Sequence, residues 1–462
     1  MKNSVNESLN KQLLKFEKKL NSISPSFCIA KWLQVTIDLE HGTTHSCHHN
    51  PRHEIPLKEL IDNPSALHNT IQKKKQRSLM LKGIKDSDCN YCWNVENCKS
   101  TFTDRVLKSS EAWAAPYLNQ INRQDWMQNV VPTYLEVMFS KACNLSCSYC
   151  SAEVSSLIES ETKKFGKFFL TNSELHRNHI KKSHTAEGGK NPYVDAFWEW
   201  LPTISDKLRI FRITGGEPLI QKDFYNVLIY FSKNPNPKLI LSVNTNFNVS
   251  QTRLFKLTQH SNQLIKANSV KSLELFISLD TFGEQAEFIR AGLDYKQVLS
   301  NIEEFMDNVP SSKVIIMATY SVLSAPRFTK LLEDVLKLKK KYHNTKDRII
   351  IDITYLREPK YLSIQLLPQY LDKYLYHSLK FMEENSVKIC KYGFNLHEIN
   401  KIVALISLYE KSLLKTLDRL ALINFAEFID VYSFRTKKSF INTFPELKPL
   451  YELSKSMISH DE

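Results

Sequence analysis

No apolar run in this sequence approaches the roughly 18 residues of a membrane span. Its charged, amphipathic start, MKNSVNESLNKQLLKFEKKL, has no apolar signal-peptide core. Both absences lead us to expect a cytoplasmic chain with no membrane partner. There is no internal repeat and no low-complexity segment, so a repeat array and a disordered tract are excluded. Acidic residues are in deficit: 62 Lys+Arg against 49 Asp+Glu leave a formal net charge of +13. That balance allows an anionic partner such as nucleic acid or a nucleotide without requiring one. The lysines are spread along the chain, and the short clusters Lys73-Lys74-Lys75 and Lys339-Lys340-Lys341 read as solvated helix faces. With 42% hydrophobic and 24% charged residues, the 462-residue chain has the make-up of a globular protein of two or three domains.

What is present is uneven. Eight of the nine cysteines (Cys28, Cys47, Cys89, Cys92, Cys98, Cys143, Cys147, Cys150 and Cys390) fall in the first third of the chain. Without a secretory signal, such clustering points to metal or catalysis and away from a disulfide framework. Residues 1–115 are rich in cysteine and histidine, with few clear strands. From about 130 to 360, short β-branched runs alternate with amphipathic helical stretches. The runs are Tyr134–Phe139, Leu208–Ile213, Leu239–Val243, Leu273–Leu279, Lys313–Thr319 and Arg348–Thr354, and the helical stretches include Phe224–Ser232, Gln251–His260 and Tyr295–Met306. Six such βα units predict an α/β fold with a parallel sheet, curled by crossovers of one hand into a partial, TIM-like (β/α)6 barrel. Residues 361–462 show mainly three- and four-residue apolar spacing and predict a helical C-terminal region.

Parallel α/β folds bind ligands at the carboxyl ends of their strands. Cys143-x3-Cys147-x2-Cys150 follows the first run directly. Thr214-Gly215-Gly216-Glu217-Pro218 follows the second, Asn244-Thr245-Asn246 the third, and Ser278-Leu279-Asp280 ends the fourth. Three thiolates hold three irons of a [4Fe–4S] cluster and leave the fourth iron open to a small ligand. A zinc site of this spacing would need a fourth, distant ligand. The glycine pair lets backbone approach that ligand without a Cβ clash.

In the order and spacing of these motifs the chain resembles the radical S-adenosylmethionine (SAM) superfamily. Cys143, Cys147 and Cys150, with Tyr149 before the last, are similar to that family's cluster loop. Gly215-Gly216-Glu217-Pro218 resembles its GGEP motif, which contacts the amino group of SAM. The resemblance implies that Asn246 and Ser278 contact the ribose or carboxylate side of SAM, and that Arg290 pairs with the carboxylate. One departure is Phe247, where the family usually has glycine.

Cys28, Gly42 and Cys47, then Cys89-Asn90-Tyr91-Cys92 and Cys98, resemble the SPASM/twitch auxiliary-cluster domains of radical SAM enzymes, although here they precede the barrel. The resemblance implies that Cys28, Cys47, Cys89 and Cys92 bind a second [4Fe–4S] cluster, with Cys98 as a possible replacement for one of them. Zinc held by cysteine and histidine stays open, because His41, His45, His48 and His49 crowd around Cys47. We expect His41 and His45 to be exposed loop residues, and Cys390 to be a buried small hydrophobe. The implied activity is reductive cleavage of SAM to a 5′-deoxyadenosyl radical that abstracts hydrogen from a peptide or small molecule, with an external electron donor and the reaction type left open. Modification of a nucleotide or nucleic acid and a non-catalytic iron–sulfur protein are the alternatives.

Overall fold

Nine strands form one sheet: β1 (Gln34–Asp38), β2 (Thr43–His45), β3 (His53–Glu54), β4 (Tyr134–Met138), β5 (Ile210–Thr214), β6 (Asn236–Thr245), β7 (Val270–Ser278), β8 (Lys313–Tyr320) and β9 (Ile349–Tyr355). The computed structural model describes residues 2–98, 102–170, 173–174, 176–179, 181, 183–184, 190–343, 347–414 and 418–458. The strand order is β9-β8-β7-β6-β5-β4-β1-β2-β3. All pairs from β9 to β1 are parallel, and the β1–β2 and β2–β3 pairs are antiparallel. The six runs expected to be strands are strands, within a few residues.

Each consecutive pair from β4 to β9 is joined by a crossover containing a helix: Pro192–Ile204, Lys222–Lys233, Gln251–Lys266, Tyr295–Asn308 and Phe328–Lys341. Crossovers of one hand between successive neighbours put their helices on one face of the sheet. Burial along the strands agrees, alternating with the pleat. In β5, Phe211 and Ile213 are fully buried, whereas Ile210, Arg212 and Thr214 are partly open. The main hydrophobic core lies between the sheet's apolar face and these helices. The sheet's other face keeps partly accessible side chains such as Arg212, Asn244 and Ser278.

Residues 1–115 hold three short strands, and β1 docks in parallel on β4 with Thr36 opposite Glu136, so the cysteine-rich region extends the same sheet. It also has a second core built on Phe27, Trp32, Trp93 and Trp113. Two expectations, for the lysine clusters and for Cys390, are corrected. The lysine clusters are not uniformly solvated. Lys73 is fully buried, and Lys339 is buried with its ammonium 2.9 Å from Glu398, itself fully buried. Cys390 is half-buried in the turn before Phe394, with Sγ facing the Asn385 carbonyl. The tail forms the helices Lys373–Glu384, Leu396–Leu413, Arg419–Thr436 and Lys448–Ile458. Among the described residues no helix is long and apolar enough to cross a membrane.

Candidate functional site

The loop after β4 carries Cys143, Cys147 and Cys150, and much of the chain holds it in place. Ser146 and Cys147 pair antiparallel with Ala291 and Arg290, and Ser148 N–H donates to the Ile289 carbonyl at 2.7 Å. Arg177, fully buried, reaches the Cys147 carbonyl, the Cys150 carbonyl and Ser146 Oγ. From the C-terminal region, the Tyr432 hydroxyl lies 2.8 Å from the Ser146 carbonyl. Ser155 Oγ donates to the Leu145 carbonyl, and Cys143 N–H donates to Ser156 Oγ.

The glycines decide how the next strand's loop meets this one. A Cβ on Gly216 would stand 2.3 Å from the Ala142 carbonyl oxygen and 2.6 Å from that of Lys141. Gly215 has φ +126°, a region L side chains avoid. This close approach lets Glu217 N–H donate to the Ala142 carbonyl at 2.7 Å. Glu217 itself is fully buried, and its carboxylate accepts from Thr245 Oγ1 (2.6 Å), Asn246 N–H (2.6 Å) and Leu219 N–H (3.0 Å). Burial pushes its pKa up to about 7 even against these three donors. Glu217 therefore joins the loop after β5 to the end of β6.

These loops enclose one cavity of about 190 Å³, lined among others by Cys143, Cys147, Cys150, Gly215, Gly216, Asn246, Ser278 and Arg290. Of the residues predicted for this site, Glu217 stands behind that lining. Asn246 donates through Nδ2 to Asn144 Oδ1 in the cluster loop at 2.9 Å. Arg290 binds Asp280 through Nε (2.8 Å) and Nη2 (3.1 Å), faces the Tyr149 hydroxyl, and turns Nη1 toward Cys147 Sγ at 3.7 Å. Tyr149 also donates to Asp280 at 2.9 Å, and Thr319 N–H donates to it at 2.9 Å. Burial opposes the charge on Arg290, but Asp280, Tyr149 and Cys147 hold its pKa well above the ordinary value.

Sequence reasoning missed Asp280 as a partner, although it ends the Ser278-Leu279-Asp280 triplet. It missed Arg177 and Tyr432 because neither carries a local motif. Burial pushes Cys143 up to about 11 and Cys150 up to about 12, and raises Cys147 against the pull of Arg290. Thiols this far raised become ligands when a metal group replaces their protons, and three of them around one cavity fit an iron–sulfur cluster with an open iron.

Residues 137–322 match the family model of the radical SAM superfamily. The chain carries a radical SAM domain. The match covers less than half of the chain, and the cysteine-rich and C-terminal regions lie outside it. No curated protein matches the chain. Among solved structures, Streptococcus suis SuiB bound to S-adenosylmethionine is similar over 77% of this chain and 70% of its own, at 16% identity and a TM-score of 0.33. SuiB bound to precursor peptide SuiA is similar over 82% of this chain and 75% of its own, at 14% identity and a TM-score of 0.35.

Within the radical SAM domain, the departure at Phe247 has a visible cost and a visible compensation. Its φ is +57°, the left-handed region that glycine adopts freely and other residues reach at roughly 1–2 kcal/mol. Its ring is fully buried, edge-on to Phe305, and its carbonyl accepts from Asn301 at 3.0 Å. Burying a phenyl side chain contributes about 1.5–3 kcal/mol, enough to offset the strain.

Outside that domain, Cys28, Cys47, Cys89 and Cys92 line a second, smaller cavity of about 20 Å³, together with His49 and Asp104. Asn50 stands between two of the thiols: its Oδ1 accepts from Cys47 Sγ at 3.1 Å, and its Nδ2 is 3.4 Å from Cys89 Sγ. The side chain of Cys98 lies outside the described residues. Among the described residues no three of these sulfurs come within 4.8 Å of one another, whereas tetrahedral zinc with Zn–S of ~2.3 Å draws its sulfurs to ~3.8 Å.

The expectation that His41 and His45 are exposed is corrected. His41 is fully buried with Nδ1 2.9 Å from Asp38, and His45 is part-buried with Nδ1 2.7 Å from the Cys47 carbonyl. Burial lowers the His45 pKa to about 4.

Proposed function

We propose that the chain is a radical SAM enzyme in which Cys143, Cys147 and Cys150 hold a [4Fe–4S] cluster and SAM takes its open iron. The observation that carries this reading is the single cavity on which the three thiols, Gly215, Gly216, Asn246, Ser278 and Arg290 converge. Bound there, the cluster and SAM supply one-electron cleavage of SAM to methionine and a 5′-deoxyadenosyl radical, which takes hydrogen from the substrate. The chain's own share is placement. Gly215 and Gly216 bring peptide groups to the amino end of SAM, Asn246 and Ser278 face its ribose or carboxylate side, and Arg290 offers positive charge shared with Asp280. A sheet with its helices on one face suits a partial barrel over residues 130–360, flanked by the cysteine-rich region 1–115 and the helical region 361–462.

We assign Cys28, Cys47, Cys89 and Cys92 to a second, SPASM/twitch-type [4Fe–4S] cluster. The spacing of their sulfurs is wider than zinc favours, and the surrounding charge is complementary. Lys31 is buried in the lining of the cysteine cavity and is held by Gln76 Oε1 at 3.0 Å, with no carboxylate partner among the described residues. Isolated buried cations are costly unless an anionic group faces them, and four metal-bound thiolates are such a group. The substrate is a peptide or small molecule, as with many relatives that carry auxiliary clusters, and an external donor supplies the electron. The formal charge of +13 favours a second reading, action on a nucleotide or nucleic acid. The eight described cysteines are all free, which suits a reducing cytoplasm.

Anaerobic reconstitution tests the proposal. Two clusters bind about eight irons per chain, and one cluster beside zinc binds about four. Cys147→Ala is expected to abolish 5′-deoxyadenosine formation, and a wild-type rate in that variant overturns the assignment. Nucleic-acid binding that does not weaken with salt removes the second reading.

A further inference from the structure

We propose that His48, His49 and Asp104 form a binding site for one divalent transition metal, zinc or iron(II), at the edge of the cysteine-lined cavity, whose wall His49 and Asp104 share, with no thiol among its ligands. The two histidines are consecutive in the loop after β2, and Asp104 begins the helix Asp104–Ser110. Folding turns both imidazoles to the same carboxylate oxygen. His49 Nε2 lies 2.9 Å and His48 Nε2 3.4 Å from Asp104 Oδ2, and the three ligand atoms are mutually within 4.8 Å. Metal bonds of about 2.0–2.2 Å place neighbouring nitrogen and oxygen donors roughly 2.9–3.5 Å apart. The two nitrogen–oxygen distances to Asp104 fall in that range. Both imidazoles are directed at one carboxylate oxygen, and only the His49 contact has the length of a good hydrogen bond.

Three further observations favour an ion. Two imidazoles and a carboxylate are the donor set of zinc and non-haem iron(II) sites. The His49 ring is fixed by stacking on Tyr91, centroids 3.6 Å apart and 12° from parallel, which holds the donor in place before binding. No lysine or arginine forms an ion pair with Asp104 among the described residues; its close partners are the two histidines. The other acidic–histidine group, Asp38, His41 and Glu153, differs in this respect, because Arg52 stands 3.4 Å from Asp38 and 3.3 Å from Glu153 and supplies the cation itself. At the first group His48 is 58% exposed, leaving an entry path and open coordination positions toward solvent.

The test titrates the full-length, cluster-reconstituted protein with Co2+, then with Zn2+ and Fe2+ in competition. One Co2+ per chain is expected, with weak visible bands and no thiolate-to-cobalt charge transfer. His48→Ala, a change at an exposed side chain, is expected to weaken that binding at least tenfold without changing the cluster absorbance or the acid-labile sulfide count. His49→Ala adds a second, stronger loss. Binding unchanged in His48→Ala, or cobalt bound only with a thiolate signature, overturns the site. Because acid-labile sulfide and 5′-deoxyadenosine are read separately, failure of this site and failure of the radical SAM reading are distinguishable.

Discussion

Replacing Gly216 by alanine tests whether the loop after β5 sets the position of the cluster loop. The added Cβ would stand 2.3 Å from the Ala142 oxygen and 2.6 Å from the Lys141 oxygen, both backbone atoms leading into Cys143. Ordinary C···O contacts begin near 3.3 Å, so the two loops must part by about 1 Å. Overpacking of this kind costs about 1–3 kcal/mol of stability. Displacing reacting groups by about 1 Å costs of order 100-fold in rate.

Gly393→Ala separates the two effects. Its Cβ would meet the Asn385 oxygen at 2.2 Å, an equal clash in a turn of the C-terminal region that contributes nothing to the cavity. Urea unfolding is expected to show similar losses for both variants. Iron retention and 5′-deoxyadenosine formation are expected to fall only in Gly216→Ala. Wild-type iron content and rate in Gly216→Ala would refute the reasoning, and so would an equal loss of iron in Gly393→Ala.

Asp280→Ala strands the buried Arg290 guanidinium and is expected to cost about 3–5 kcal/mol in urea unfolding, most of it recovered when Arg290→Met is added; a single-variant loss below about 1 kcal/mol would show that the pair is not what holds this corner. His68 is fully buried with Lys73 Nζ 3.1 Å away, and burial lowers its pKa well below 6.5. The unfolded chain therefore takes up a proton that the folded chain refuses, so stability falls as pH drops below 6.5. His68→Gln is expected to flatten that fall in denaturation midpoints measured between about pH 7 and 5, and an unchanged slope would remove His68 as its source.

The six central strands were legible because each is a short branched run between helical stretches, and the middle residues on one face of each are buried. The cluster loop was legible because its three thiols lie within eight residues, and the glycines because their motif follows a strand directly. Other features were not. The strand β1 has no motif and gains its place by pairing with β4, far along the chain. Lys73 and Lys339 lie in runs that read as solvent-facing, yet tertiary neighbours bury both. The donors to the Glu217 carboxylate, Thr245, Asn246 and Leu219, come from two separate loops and carry no local signal of that pairing.

The sequence by itself determined which residue types stand at which strand ends, because spacing and β-propensity are properties of neighbouring residues. Only the tertiary structure decided which groups face one another: Arg290 with Asp280, Arg177 with the cluster-loop carbonyls, and His49 with Asp104. Those partners come from separate segments, and a buried charge takes whichever partner packing brings within a few ångströms.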